Sequence, residues 1–207
     1  LALQKAEKMK KQAFADRYPY GIFSCIRTMG HIYKSRGNFD LSAQYYQEAL
    51  DYMLKNMPDQ DPSQLYSSLA EYYRNTQKDY ATALDYCEKA LKSAKTERNI
   101  AQAMIEKCLI LFRQGRIDEF NDCYKEAVQM ADRCKLSANV SLLIAHIYRN
   151  ILDKQYEQAH AHADQLPNKG PQYHAYIYEY AKDYPNAIKY LRKYHQQQDS
   201  TNNLLQL

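Results

Sequence analysis

The sequence predicts an all-α fold, a solenoid of stacked helical hairpins, and two observations carry that expectation. Only five glycines and six prolines punctuate 207 residues, so turns are scarce and long helices are favoured. A phrase of turn, ring, polar residue, small residue and then ring or apolar residue also returns along the chain. Its leading residues are Phe39, Tyr80, Ile117, Tyr156 and Tyr184, at spacings of 41, 37, 39 and 28 residues, and periods of this size mark repeat architectures.

The first element is a helix over 1–15, whose pattern is already under way at Leu1 without an initiating Met and reads as a piece of a longer protein. Helical hairpins follow over 22–57, 62–96, 98–134, 138–166 and 171–197, and 198–207 begins a connecting tail. That makes one opening helix and ten more in a single array. Each first helix carries its own phrase, "MGHIY" at 29–33, "LAEYY" at 69–73, "KCLIL" at 107–111, "IAHIY" at 144–148 and "HAYIY" at 174–178. Gly37 and Gly115 mark the ends of first helices. Asp61 with Pro62, and Asp183 ahead of Pro185, are helix starts, and "LPNKGP" at 166–171 is a turn.

These paired phrases resemble tetratricopeptide repeats, which implies a right-handed α-α superhelix. The resemblance covers about residues 22–197. It places small residues where the helices of a hairpin meet: Gly30, Ala70, Cys108, Ala145 and Ala175 in first helices, and Ser42, Ala83, Ala159 and Ala187 in second helices. Small side chains there let backbones approach closely. Phe120 occupies the matching site of the third hairpin, so that hairpin is expected to splay or shift.

Tyrosine appears 21 times and tryptophan never. A solenoid two helices thick has no deep interior, and tyrosine can bury a ring while its hydroxyl reaches water or a carbonyl. Repeat packing therefore accounts for most of the rings. Five cysteines without a Cys-x-x-Cys pair read as small buried hydrophobes. No apolar run approaches the roughly 20 residues of a membrane helix. The net charge of +4 is too mild, and its lysines too interleaved with glutamates, for a nucleic-acid stripe.

In the family the first helices line a concave groove. Taking the helix face away from the partner helix gives Arg27, His31 and Lys34; Gln64, Glu71, Arg74 and Asn75; Arg113; Asn139, His146, Arg149 and Asn150; and Gln172, Tyr176, Glu179 and Tyr180. Five Lys or Arg against two Glu, with amides able to hold a peptide backbone, predict a groove for a protein or peptide ligand of acidic character. The lysine-and-asparagine clamp by which co-chaperones of this family hold a C-terminal carboxylate is missing, because its sites read Arg27, His31, Ser68, Gln102 and Glu106.

No enzyme, cofactor or metal site is expected. Five scattered glycines build no phosphate loop, the carboxylates sit at salt-bridge spacing among lysines, and His160 and His162 point to nearly opposite sides of one helix. The row of hairpins with its polar tail also looks like the sensor half of bacterial membrane-tethered regulators with a histidine kinase or DNA-binding output. That resemblance implies an extracytoplasmic array, with a cytoplasmic peptide sensor as the alternative. A second reading is a scaffold or homodimer built through the terminal helices.

Overall fold

The computed structural model of the chain describes residues 2–137 and 139–205, with side-chain surroundings described through Ser200. Leu1, Ala138 and the final two residues, which fall at the ends of predicted elements, lie outside them. The described residues form α-helices and turns and no strand: α1 (Ala2–Ala15), α2 (Pro19–Ser35), α3 (Phe39–Asn56), α4 (Ser63–Tyr72), α5 (Tyr80–Ser93), α6 (Glu97–Arg113), α7 (Ile117–Arg133), α8 (Val140–Leu152), α9 (Tyr156–Asp164), α10 (Pro171–Tyr180) and α11 (Tyr184–Leu205). None is long and apolar enough to cross a membrane.

Five hairpins follow α1: α2 with α3, α4 with α5, α6 with α7, α8 with α9, and α10 with α11. Each second helix also touches the next first helix, and α4, α6, α8 and α10 touch in succession, so the first helices form a continuous inner row. The small sites lie where hairpins close. Ala70, Ala83, Cys108 and Ala159 are fully buried, and Gly30, Ser42, Ala145 and Ala175 nearly so. A Cβ on Gly30 would stand 2.7 Å from the ring of Tyr46, closer than van der Waals contact allows, so the glycine is required by the ring that packs on it.

The turn inside each hairpin uses one device five times. The residue two places before the second helix is left-handed: Gly37 at φ 73°, Lys78 at 56°, Gly115 at 73°, Lys154 at 58° and Lys182 at 61°. That conformation satisfies the last carbonyls of the first helix, as where Asn38 N–H reaches the carbonyl of Tyr33. Two glycines were legible as helix ends; three lysines do the same work at a steric cost. In the second hairpin, α4 ends in a π turn over Tyr73–Gln77 before Lys78.

Three of the second helices, α3, α5 and α11, start on side-chain caps. Asn38 and Asp79 accept from the N–H of Leu41 and Thr82, and Asp183 accepts from Asn186. Asp61 reaches further. Its two carboxylate oxygens take the N–H of Ser63 and Lys95, each at 2.8 Å, and the Asn99 amide at 2.9 Å, tying the start of α4 to the start of α6.

One expectation is corrected. The third hairpin is not splayed: Phe120 is fully buried, and its ring meets Phe112 edge-on at 5.4 Å. The core shared by α6, α7 and α8, with small neighbours Cys108, Ala127 and Ala145, makes room for the ring. The stretch from 198 continues α11, which runs unbroken to Leu205. No glycine or proline follows Pro185 within it to stop the helix.

Candidate peptide-binding groove

The inner row of first helices presents polar residues at helical spacing to one concave surface. α2 contributes Arg27, His31 and Lys34, α4 contributes Gln64, Ser68 and Glu71, the π turn after it contributes Asn75, and α6 contributes Gln102 and Glu106. Ser141 and Ile144 continue the row on α8, and Gln172 and Tyr173 on α10. Three adjoining hollows of about 300, 570 and 330 Å³ lie along it and share Glu71 as a common wall. Tyr194 and Gln198 of α11 edge the last of them.

Most charges in the groove are already paired. Lys34 Nζ meets Glu71 at 2.6 Å. Arg74 and Glu106 are both buried and joined at two points, Nε to Oε1 at 2.5 Å and Nη2 to Oε2 at 3.2 Å, while Arg74 Nη1 donates to Asn75 at 2.7 Å. Burial drives the Glu106 carboxyl above its ordinary value, and the Arg74 guanidinium pulls against it. Arg74, expected on the free face, is thus a buried structural cation. The third hairpin supplies a carboxylate beside the groove, and the excess of free positive charge is smaller than the sequence implied.

Arg27 is different. Its guanidinium lies over the Phe23 ring at 5.3 Å, and its Nε is buried without a hydrogen-bond partner. His31 stands one turn on, with Nδ1 2.9 Å from the Tyr46 hydroxyl. Burial, with Arg27 and Lys34 nearby, lowers its imidazole below the usual value, so the ring is neutral near pH 7. Lys78, also along the groove, is lowered by burial and by the charges of Arg113 and Arg74.

The fourth first helix is placed differently from the sequence expectation. Asn139 caps α8 through the N–H of Leu142 and borders the first hollow. His146, Arg149 and Asn150, however, do not face the groove. His146 bonds the Tyr124 hydroxyl of α7 and stacks on His162 of α9. Arg149 is held by Asn121 of α7 and by Asp153, and Asn150 is buried. The stripe that does face the groove, Ser141 and Ile144, was hidden because α8 is apolar on nearly every side. Arg113, Tyr176 and Tyr180 gather at the C-terminal ends of α6 and α10. Arg113 sits over Tyr176 at 5.6 Å, and the two tyrosine hydroxyls are 3.2 Å apart. Glu179 is exposed beside them.

Ser68, Gln102 and Glu106, named in the sequence only as positions lacking a carboxylate clamp, converge with Arg27 and His31 on the first hollow. Spacing relates all three. Gln64 and Ser68 stand six and two residues before the small site Ala70, and Gln102 and Glu106 stand likewise before Cys108. The two helical histidines of α9 face different neighbours, His162 towards α8 and His160 towards His174 of α10, whose ring it stacks on at 4.9 Å. Among the described residues no group of three His, Cys, Asp or Glu is placed to hold a metal ion.

A family model described as the tetratricopeptide repeat matches residues 28–52, the end of α2 and most of α3. No curated protein matches the chain in sequence. Among solved structures, the crystal structure of BtubC (BKLC) from P. vanneervenii is similar at a TM-score of 0.61 and 18% sequence identity, covering 97% of this chain and 91% of that one. At that identity the likeness speaks for the fold alone. Residues 28–52 thus match a tetratricopeptide repeat, and they sit in an all-α, tetratricopeptide-like solenoid of helical hairpins.

Proposed function

We propose that the chain is a non-catalytic protein-interaction module whose concave groove takes an extended peptide segment bearing a carboxylate. The observation that carries this reading is Arg27. In the first hollow the carboxylates of Glu71 and Glu106 are engaged by Lys34 and Arg74, whereas the buried Nε of Arg27 has no partner. A buried donor left unbonded costs about 1–3 kcal/mol, and a ligand carboxylate would remove that cost. Gln64, Gln102, Ser68 and Ser141 around it offer both donors and acceptors to a peptide backbone.

The test is fluorescence anisotropy with labelled peptides rich in Asp and Glu against the same peptides as Asn and Gln. Acidic peptides should bind more tightly, the preference should fade as salt rises, and Arg27→Gln should weaken them about tenfold, roughly 1.4 kcal/mol. Equal binding of both sets, or an indifferent Arg27→Gln variant, contradicts the reading.

Within that reading we place the module as the sensor region of a bacterial signalling or transcription regulator, on the extracytoplasmic side of the membrane. The support is α11, a 22-residue helix that edges the groove through Tyr194 and continues to Leu205, a form able to relay groove occupancy along its axis. The competing reading is a scaffold that pairs through its ends. Tyr184, Ile188 and Leu191 make an apolar stripe on α11, exposed by 59, 51 and 45%. Sedimentation of the purified chain separates the two, since a monomer supports sensing and a tight dimer abolished by Ile188→Glu supports the scaffold.

A further inference from the structure

The third hairpin holds two thiols in contact. Cys108 on α6 and Cys123 on α7 place their sulfurs 3.0 Å apart, with the Cys108 thiol donating to the Cys123 sulfur. A disulfide needs about 2.05 Å, so the pair has about 1 Å left to close. Cys108 is fully buried and Cys123 is partly exposed, so the member a small oxidant can reach is also the one that accepts the hydrogen bond.

We propose that Cys108 and Cys123 form an oxidisable dithiol that closes into a disulfide between α6 and α7 on exposure to peroxide. The Cys123 thiolate attacks one oxygen of hydrogen peroxide, breaking the O–O bond and leaving Cys123 as a sulfenic acid while hydroxide departs and takes a proton to become water. The Cys108 sulfur then attacks the sulfenic sulfur; the Cys108 proton and the departing hydroxide form a second water. In sum two thiols and one peroxide give one disulfide and two waters, with both sulfurs oxidised and both peroxide oxygens reduced.

The surroundings favour this order of steps. The hydrogen bond from Cys108 lowers the Cys123 thiol below its ordinary value against the opposing effect of burial, and Lys107 adds to it. The same bond, together with burial, pushes Cys108 up. Thiolate character and access select the cysteine that reacts first, and here both select Cys123. The disulfide would staple the hairpin whose first helix carries Gln102 and Glu106 to the groove, restraining the middle of the inner row.

The test is peroxide titration of the whole chain followed by alkylation, trypsin digestion without reductant, and mass spectrometry. The expected product has lost two hydrogens, joins peptide 108–113 to peptide 117–125, reverts with dithiothreitol, and melts at a higher temperature than the reduced chain. Cys123→Ser, folded by circular dichroism, should give no such product. The proposal is overturned if Cys108 and Cys123 are both recovered as alkylated thiols while Cys25 or Cys134 oxidises, or if the reversible product links any other pair.

Discussion

Arg74 and Glu106 form a two-point ion pair with about 5% of either residue exposed, joining the end of α4 to the middle of α6 beneath the groove. Charges buried this way contribute little when compared with apolar packing, but removing one partner strands the other. Glu106→Ala should therefore cost about 3–5 kcal/mol in urea unfolding. The double variant Arg74→Met with Glu106→Met should recover most of that loss, since both charges are then gone. Equal destabilisation by the single and double variants would show that volume, not stranded charge, sets the cost.

The left-handed turn lysines predict gains in stability. Lys154→Gly and Lys182→Gly each remove a side chain from a conformation that costs L-residues about 1–2 kcal/mol, offset in part by the greater freedom glycine has when unfolded. Each should stabilise the chain by about 0.5–1 kcal/mol. Gly115→Ala, at φ 73° with no neighbour within 4 Å of its added Cβ, should destabilise by about 1 kcal/mol through backbone strain alone. Denaturant midpoints at constant slope check all three.

Asp61 predicts an acid limb. Burial acts to raise its carboxyl, and the hydrogen bonds from Ser63, Lys95 and Asn99 outweigh it, leaving the group below the ordinary 3.8. A depressed carboxyl contributes stability that is complete above its unfolded value and lost as pH falls through the folded one. Asp61→Asn should therefore destabilise at neutral pH, by about 1–3 kcal/mol, and the gap from wild type should narrow below about pH 4. Thermal melts against pH measure the gap.

The histidine pair predicts a second, milder slope. His160 and His174 share a 2.7 Å bond between their Nδ1 atoms, so one of the two must be unprotonated there to accept. Burial is the largest influence lowering both below 6.5; the His174 imidazole lowers His160 further and Lys193 lowers His174 further, while Asp164 acts on both in the other direction. The unfolded chain then takes up protons first, so stability is full above about pH 6.5 and declines as pH falls towards the folded values. His174→Gln should flatten this decline between about pH 7 and about pH 5. An unchanged slope would remove the pair from the account.

The hairpins were legible because close helix packing leaves a local signature: a small residue at Gly30, Ala70 or Ala83 flanked by rings returns with each repeat. The turns were legible only at Gly37 and Gly115, since nothing in a lysine announces that Lys78, Lys154 or Lys182 is left-handed. Phe120 misled because a consensus describes the pair of helices and not the neighbouring core that can absorb a ring. The groove was legible on α2 and α4, where polar residues mark one face. It was lost on α8, where Ile144 faces the hollow and the polar His146 and Arg149 turn to partners on α7 and α9. The Arg74 and Glu106 pair lay beyond reach because its two halves are 32 residues apart and each alone resembles a surface charge.

The most direct measurement is backbone amide chemical-shift mapping by NMR, with the acidic peptide that binds most tightly titrated into the labelled chain. The account predicts that the shifted amides cluster around Arg27 and His31 on α2, Ser68 and Glu71 on α4, and Gln102 on α6, and that with Arg27→Gln the same shifts require about tenfold more peptide. Shifts confined to the outer helices α5, α7 and α9, with the inner row undisturbed, would contradict it.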